Sequence, residues 1–270
     1  MTNKLLTHQC AFAIASLLIL SCLGACTGPS EEQQASLLAA QQAAADIRSD
    51  HQQLFYIGLA LFSEQWSEND VVDLGNVLQK NSGLHVVQLV ASNSASEPRR
   101  YPVANDRAIT ALVRTAVERA RSDDIVFVHI STHGTRGWLQ RRLGSGPPMM
   151  MSAAQLASLL APLDRQSTVL VISACYSGSL LPSLEASRRI IIAAARADRS
   201  SFGCSPTSRH TYFGEAELQA FAEPDRNLQQ IVEDIRAVVA SRERQNHYAP
   251  SEPQVSVGGN ARDLYTAKLF

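Results

Sequence analysis

Two short segments hold the residues best suited to covalent chemistry. The first is Ser131-Thr132-His133-Gly134, and the second is Ser173-Ala174-Cys175-Tyr176-Ser177-Gly178-Ser179. A thiol beside an imidazole is a nucleophile with a base. The sulfur can ionise to thiolate because an imidazolium favours the charged form. Gly134 leaves room for a substrate backbone to approach, and its N–H, with that of Cys175, could hold an oxyanion. A single Cys or His after a buried strand is more often a packed or hydrogen-bonded residue than a catalytic one. The pairing is what makes the chemistry, so the two must meet in space.

The surrounding pattern supplies a way for them to meet. Leu54 to Phe62 is a continuous apolar run, as expected of a strand buried on both faces. Strand signals recur at Leu84–Val90, Asp124–Ile130, Val169–Ala174 and Arg189–Ala193. Between them, apolar residues at helical spacing predict helices over Asp70–Lys80, Asn105–Arg121, Ser152–Leu160, Gly214–Phe221 and Asn227–Arg244. Ser92–Pro102 reads as a polar loop and Gly134–Pro148 as a Gly/Pro-containing excursion. Alternating strands and helices predict an α/β domain, with a mainly parallel sheet and helices on both faces. Ligand sites in such sheets form beyond the carboxyl ends of the strands. His133 and Cys175 each follow a predicted strand end.

The N-terminus carries a different signal. Lys4 precedes an apolar run from Cys10 to Leu23, which ends in small residues, the pattern of a secretory signal. The run Leu23-Gly24-Ala25-Cys26 resembles the lipobox of bacterial lipoproteins, in which the cysteine is acylated after cleavage before it. The alternative is a plain signal peptide cleaved after Ala25, leaving Cys26 unmodified. In the lipoprotein pattern, Thr27 after the cysteine implies the outer membrane, facing the periplasm. The expected organisation is a signal peptide over 1–25, a Gln- and Ala-rich lipidated tether over 26–52, and one domain over 53–270. Of five cysteines, only Cys175 and Cys204 remain in that domain, too few for a disulfide framework. They form either one bridge or two thiols with different jobs, and Cys204 reads as a small packing residue.

The two motifs resemble those of the legumain-type cysteine peptidases, whose fold is shared with caspases. The likeness continues through Ala194–Ser205, Thr211-Tyr212-Phe213-Gly214 and Pro250–Gly258, in a series typical of a bacterial branch. The resemblance implies a single three-layer caspase-like domain. It also implies His133 as general base and acid, Cys175 as the nucleophile that forms a thioester, and Gly134 as an oxyanion donor. No metal or organic cofactor is implied, and the substrates are proteins or peptides. Three positions depart from animal and plant legumains. Ser173 stands where they carry Glu, Ser205–Ser208 holds no acidic residue, and Ser63–Glu68 holds no Arg to read an Asn or Asp side chain. The chemistry therefore carries over further than the specificity.

Other readings find less support in the sequence. With 45% hydrophobic and 18% charged residues and a net charge of −1, no basic surface for nucleic acid is announced. His129 and His210 lack metal-ligand spacing. Cys175–Ser179 brushes against a serine-hydrolase elbow centred on Ser177, but lacks its leading Gly. Met149–Met151 reads as loop-to-helix packing, or as a substrate-facing wall. Arg136 and Arg141-Arg142 read as solvated positions, or as a pocket for an acidic side chain. The expected function is a cysteine endopeptidase of extracytoplasmic proteins, held to the membrane by lipid on Cys26. The alternatives are a transpeptidase of the same chemistry and an inactive caspase-like lipoprotein that binds envelope partners.

Overall fold

The computed structural model describes residues 30–47, 49–95 and 99–270. Cys26 and the predicted signal segment lie outside the described residues.

The elements run α1 (Glu31–Ala45), β1 (Gln53–Ala60), α2 (Gln65–Asn81), β2 (His85–Ser92), α3 (Asp106–Arg119) and β3 (Ile125–Ser131). Three short strands follow, β4 (Gly134–Thr135), β5 (Trp138–Arg141) and β6 (Met149–Ser152), then α4 (Ala153–Leu160) and β7 (Ser167–Ser173). The chain continues through α5 (Leu181–Leu184), β8 (Arg189–Ala193), α6 (Tyr212–Ala222), α7 (Leu228–Gln245), β9 (Gln254–Val257) and α8 (Arg262–Thr266). The main sheet has the order β2-β1-β3-β7-β8-β9, parallel except for β9, while β4, β5 and β6 form a small antiparallel sheet.

Alternation along each strand divides the core in two. Phe55, Ile57 and Leu59 of β1 face α3 and α4, packing with Ile109, Leu112 and Leu156. Leu54 and Tyr56 face α2, α6 and α7, packing with Leu74, Phe213 and Ile231. Both sides of the central strands are thus apolar, which is why they read as unbroken hydrophobic runs rather than alternating ones. Each of these fully buried large side chains contributes about 1.5–3 kcal/mol relative to exposure. Side-chain caps set several helix starts. Asn105 accepts from the Ala108 N–H, and Ser152 with Gln155 and Asn227 with Gln230 form reciprocal capping boxes.

Besides the small sheet formed within and just after the Gly134–Pro148 excursion, three differences from the sequence reading bear on the fold. Within the stretch expected to be a tether, α1 is seated on the domain. The Gln41 side chain donates to the Val90 carbonyl (2.7 Å) and accepts from its N–H (3.0 Å), so it covers the outer edge of β2 as a neighbouring strand would. Leu38 packs on the core and Ala45 is buried. Low hydrophobicity hid this docking, because amides rather than apolar residues make it. Second, α2 begins five residues earlier than its periodicity indicates, and its N-cap, Glu64, makes no side-chain cap that would mark the start in sequence. Third, the Pro250–Gly258 motif contains β9, which is short and preceded by Pro253.

Candidate active site

β3 and β7 are parallel neighbours in which Ser131 pairs with Ser173. His133 and Cys175 each lie two residues beyond that last pair, so both emerge at the carboxyl rim at the same height. The ladder extends one step further through the Thr132 N–H, which donates to the Ser173 carbonyl (3.1 Å). One small cleft is lined by His133 and Cys175 together with Thr132, Ser173, Phe202 and Cys204.

After Cys175 the chain turns sharply. Tyr176 takes the left-handed conformation at φ 56°, and its N–H donates to the Arg199 carbonyl (2.8 Å). This turn lifts Cys175 out of the strand. Its Sγ accepts from the Ser201 N–H and donates to the Ser201 carbonyl, both at 3.3 Å. Burial pushes the Cys175 thiol up, with the Ser201 backbone and the Ser200 side chain opposing the shift. His133 is held between aromatic edges. Its ring centroid lies 4.4 Å from that of Phe62 and 5.2 Å from that of Trp66, both near perpendicular. Burial pulls the imidazole below its ordinary value, Glu64 opposes this and Arg142 adds to it. Both shifts favour uncharged partners.

Gly134 is placed by close approach. A Cβ there would lie 2.3 Å from the Cys175 carbonyl oxygen, so the space expected for a substrate backbone is occupied by the nucleophile's own peptide. Beneath the cleft lies a buried polar network that the sequence did not indicate. Asp70 of α2 accepts from Ser131 Oγ (2.9 Å), from Thr211 Oγ1 (2.9 Å) and from the Thr211 N–H (3.2 Å), and lies 3.1 Å from His210 Nδ1. Thr211 caps α6 and also lies 3.1 Å from Ser173 Oγ. An acid at helical spacing looks solvent-exposed in sequence, and only the packing of α2 against α6 reveals its role. Phe62, Trp66 and Ser201 were missed for the same reason, since their contacts cross between elements.

The remaining candidates fall elsewhere. Cys204 is a free thiol at the cleft, pushed up to about 11 by burial and by Cys175. Ser177 is buried and its Oγ accepts from the Ala195 N–H (3.1 Å), so it is not presented to the cleft. His129 is buried, with Nδ1 3.0 Å from the Tyr56 hydroxyl and Nε2 3.3 Å from Glu217. Among the described residues, no cluster of His, Cys, Asp or Glu is arranged to hold a metal, and no helix is long and apolar enough to cross a membrane. Arg142 is not a solvated turn residue. It lies 3.7 Å from Glu64 and over the Phe62 ring, and its charge acts on His133. Arg141 pairs with Asp106, and Arg136 is exposed.

Two solved structures resemble this fold. Caspase-1 from Spodoptera frugiperda superposes with a TM-score of 0.53 at 16% identity, covering 79% of this chain and 91% of that one. A structure of pro-Sf-caspase-1 gives 0.53 at 15% identity, covering 84% and 97%. At such identity the likeness shows the fold, a caspase-like α/β domain. No curated protein matches the sequence. The model of the Peptidase C13 family, the legumain family, matches residues 104–261, more than half of the chain and both motifs. With a caspase-like sheet bringing those motifs to one rim, the chain belongs to the peptidase C13 family of cysteine peptidases.

Proposed function

We propose that this protein is a cysteine endopeptidase in which Cys175 is the nucleophile and His133 the general base and acid, acting on proteins outside the cytoplasm. The observation that carries the reading is the register of β3 and β7. Because Ser131 opposes Ser173, two residues that could do nothing separately leave the sheet side by side. Family membership supports a cysteine peptidase with protein or peptide substrates.

In this reading the thiol acts as nucleophile and the imidazole as base and acid, in two stages. A peptide carbonyl enters above Cys175, His133 takes the thiol proton as sulfur bonds to the carbonyl carbon, and the oxygen becomes an oxyanion. The Gly134 N–H is the donor proposed to receive it. His133 then gives its proton to the departing amine as the C–N bond breaks, leaving a thioester. Water attacks that thioester with His133 again as base, and the acid product and the free thiol are released. Were an amine to replace the water, the same steps would transfer the acyl group, which is the transpeptidase alternative. The inactive-lipoprotein reading requires a relic site, and the intact rim geometry argues against it.

The test is covalent labelling by a thiol-reactive peptide probe, together with casein cleavage under reducing conditions. Cys175→Ala should abolish both, and His133→Ala should abolish cleavage, with the far-ultraviolet spectrum unchanged. Persistent labelling at Cys204 alone would overturn the assignment.

A further inference from the structure

Among the described residues, three of the exposed large apolar side chains lie on one small sheet, two of them, Trp138 and Met150, on the same face. They are Trp138 (44% exposed), Met149 (57%) and Met150 (41%), all on the small sheet of β4, β5 and β6. Gln140 pairs with Met150, so Trp138 and Met150 are diagonal neighbours on the outward face. The alternate pair, Leu139 and Met151, is buried against the core. On that face Trp138 and Met150 alternate with the polar Gln140 and Ser152, so two large apolar side chains are left on the surface. The patch adjoins the catalytic rim, because β4 begins at the residue after His133.

The direction of α1 gives the patch a context. Gln34 Oε1 accepts from the Val103 N–H (2.6 Å) just before the start of α3, and Asp46 pairs with Arg119 at its end (2.5 Å). The two helices therefore run parallel. α3 leads from the carboxyl end of β2 to the amino end of β3, so its first turn stands at the carboxyl rim, and so does that of α1. Glu31 of α1 and Leu143 of the β5–β6 loop line one groove. Cys26 precedes Ser30 by four residues, which reach at most about 14 Å. The first described turn of α1, which Cys26 shortly precedes in sequence, and the catalytic cleft thus belong to the same side of the molecule.

We propose that this rim faces the membrane, with Trp138 and Met150 seated in the headgroup–acyl boundary of a phospholipid bilayer, and that the substrates are membrane-proximal protein segments. The orientation rests on the lipobox reading of Cys26, and the substrate clause rests on the peptidase reading. Tryptophan favours that boundary because its ring is apolar and its N–H polar. An apolar surface contact also adds to acyl chains in holding a protein at the interface. Exposed Arg136, two residues from Trp138, suits anionic headgroups.

The experiment uses the full lipidated chain, reconstituted in phosphatidylethanolamine–phosphatidylglycerol vesicles whose acyl chains are brominated near the headgroup. The chain has two tryptophans, and Trp66 is fully buried, so Trp138 is the reporter. Bromolipid should quench the emission, and Trp138→Phe should remove the quenching. Cys175→Ala should quench like the parent chain, so this readout does not depend on peptidase activity. A peptide tethered to the vesicle by a short spacer should be cleaved faster than the same peptide free in solution. Unquenched Trp138, or an N-terminal peptide that mass spectrometry finds unacylated, would overturn the orientation. Unquenched emission with a raised KM in Trp138→Phe would make the patch a substrate wall instead. Equal cleavage of tethered and free peptide would overturn the substrate clause.

Discussion

Gly134 and Cys175 touch through their backbones, with no room for a Cβ between Gly134 and the Cys175 carbonyl, where it would lie 2.3 Å from the oxygen. The glycine is thus required by the meeting of the two rims and not by conformational freedom. Gly134→Ala must push β4 away from the nucleophile. Misplacement of about 1 Å costs roughly 100-fold in rate. We expect kcat/KM to fall by about that factor, with little change in the urea midpoint. Full activity in this variant would show that the rims can separate without consequence.

The acid limb of activity should lie below the ordinary histidine range. A general base works when neutral, and burial pulls the His133 value down, so activity persists as pH falls until that lowered value is crossed. Glu64 holds the imidazole up and Arg142 holds it down. Glu64→Gln should therefore move the limb to lower pH, and Arg142→Gln should move it to higher pH. The measurement is the pH profile of kcat/KM, which reports the free enzyme. Shifts of the opposite sign would exclude this electrostatic account.

The two thiols should react in a fixed order. Both are raised by burial, but Cys175 receives the Ser201 N–H, whereas Cys204 is pushed up to about 11. The thiolate is the reactive form. Iodoacetamide should modify Cys175 first, slowly at neutral pH and faster as pH rises, as read by peptide mass spectrometry. Prior modification of Cys204 would contradict the assigned environments.

Asp70 should matter to stability through groups that it alone satisfies together. Asp70→Ala leaves the Ser131 hydroxyl and the Thr211 hydroxyl and N–H without their buried acceptor. Stranding buried donors costs about 1–3 kcal/mol each, reduced by relaxation, so a net loss of about 3 kcal/mol is expected from urea unfolding. Because Thr211 also reaches Ser173, the variant should raise KM as well. A loss under about 0.5 kcal/mol, the range of an ordinary surface change, would show the network to be dispensable.

The α/β class, the succession of five strands along the chain and the motifs around His133 and Cys175 are legible in the residues alone. Those signals are local. A strand buried on both faces is an apolar run wherever it lies, and Leu54–Phe62 and Val169–Ala174 show it without reference to any neighbour. Tertiary structure decided which strands adjoin. That adjacency turned His133 and Cys175 from two motifs into one rim, because hydrogen-bond register between β3 and β7 is a property of the pair and not of either strand. It also decided how the site is buried, since the enclosure by Phe62, Trp66 and Phe202 depends on where separate segments come to rest. The same is true of Asp70 and Gln41. Each is a polar residue at an unremarkable helical position, and each finds its partner only when the helix docks, because a hydrogen bond across elements leaves no periodicity in the chain that makes it.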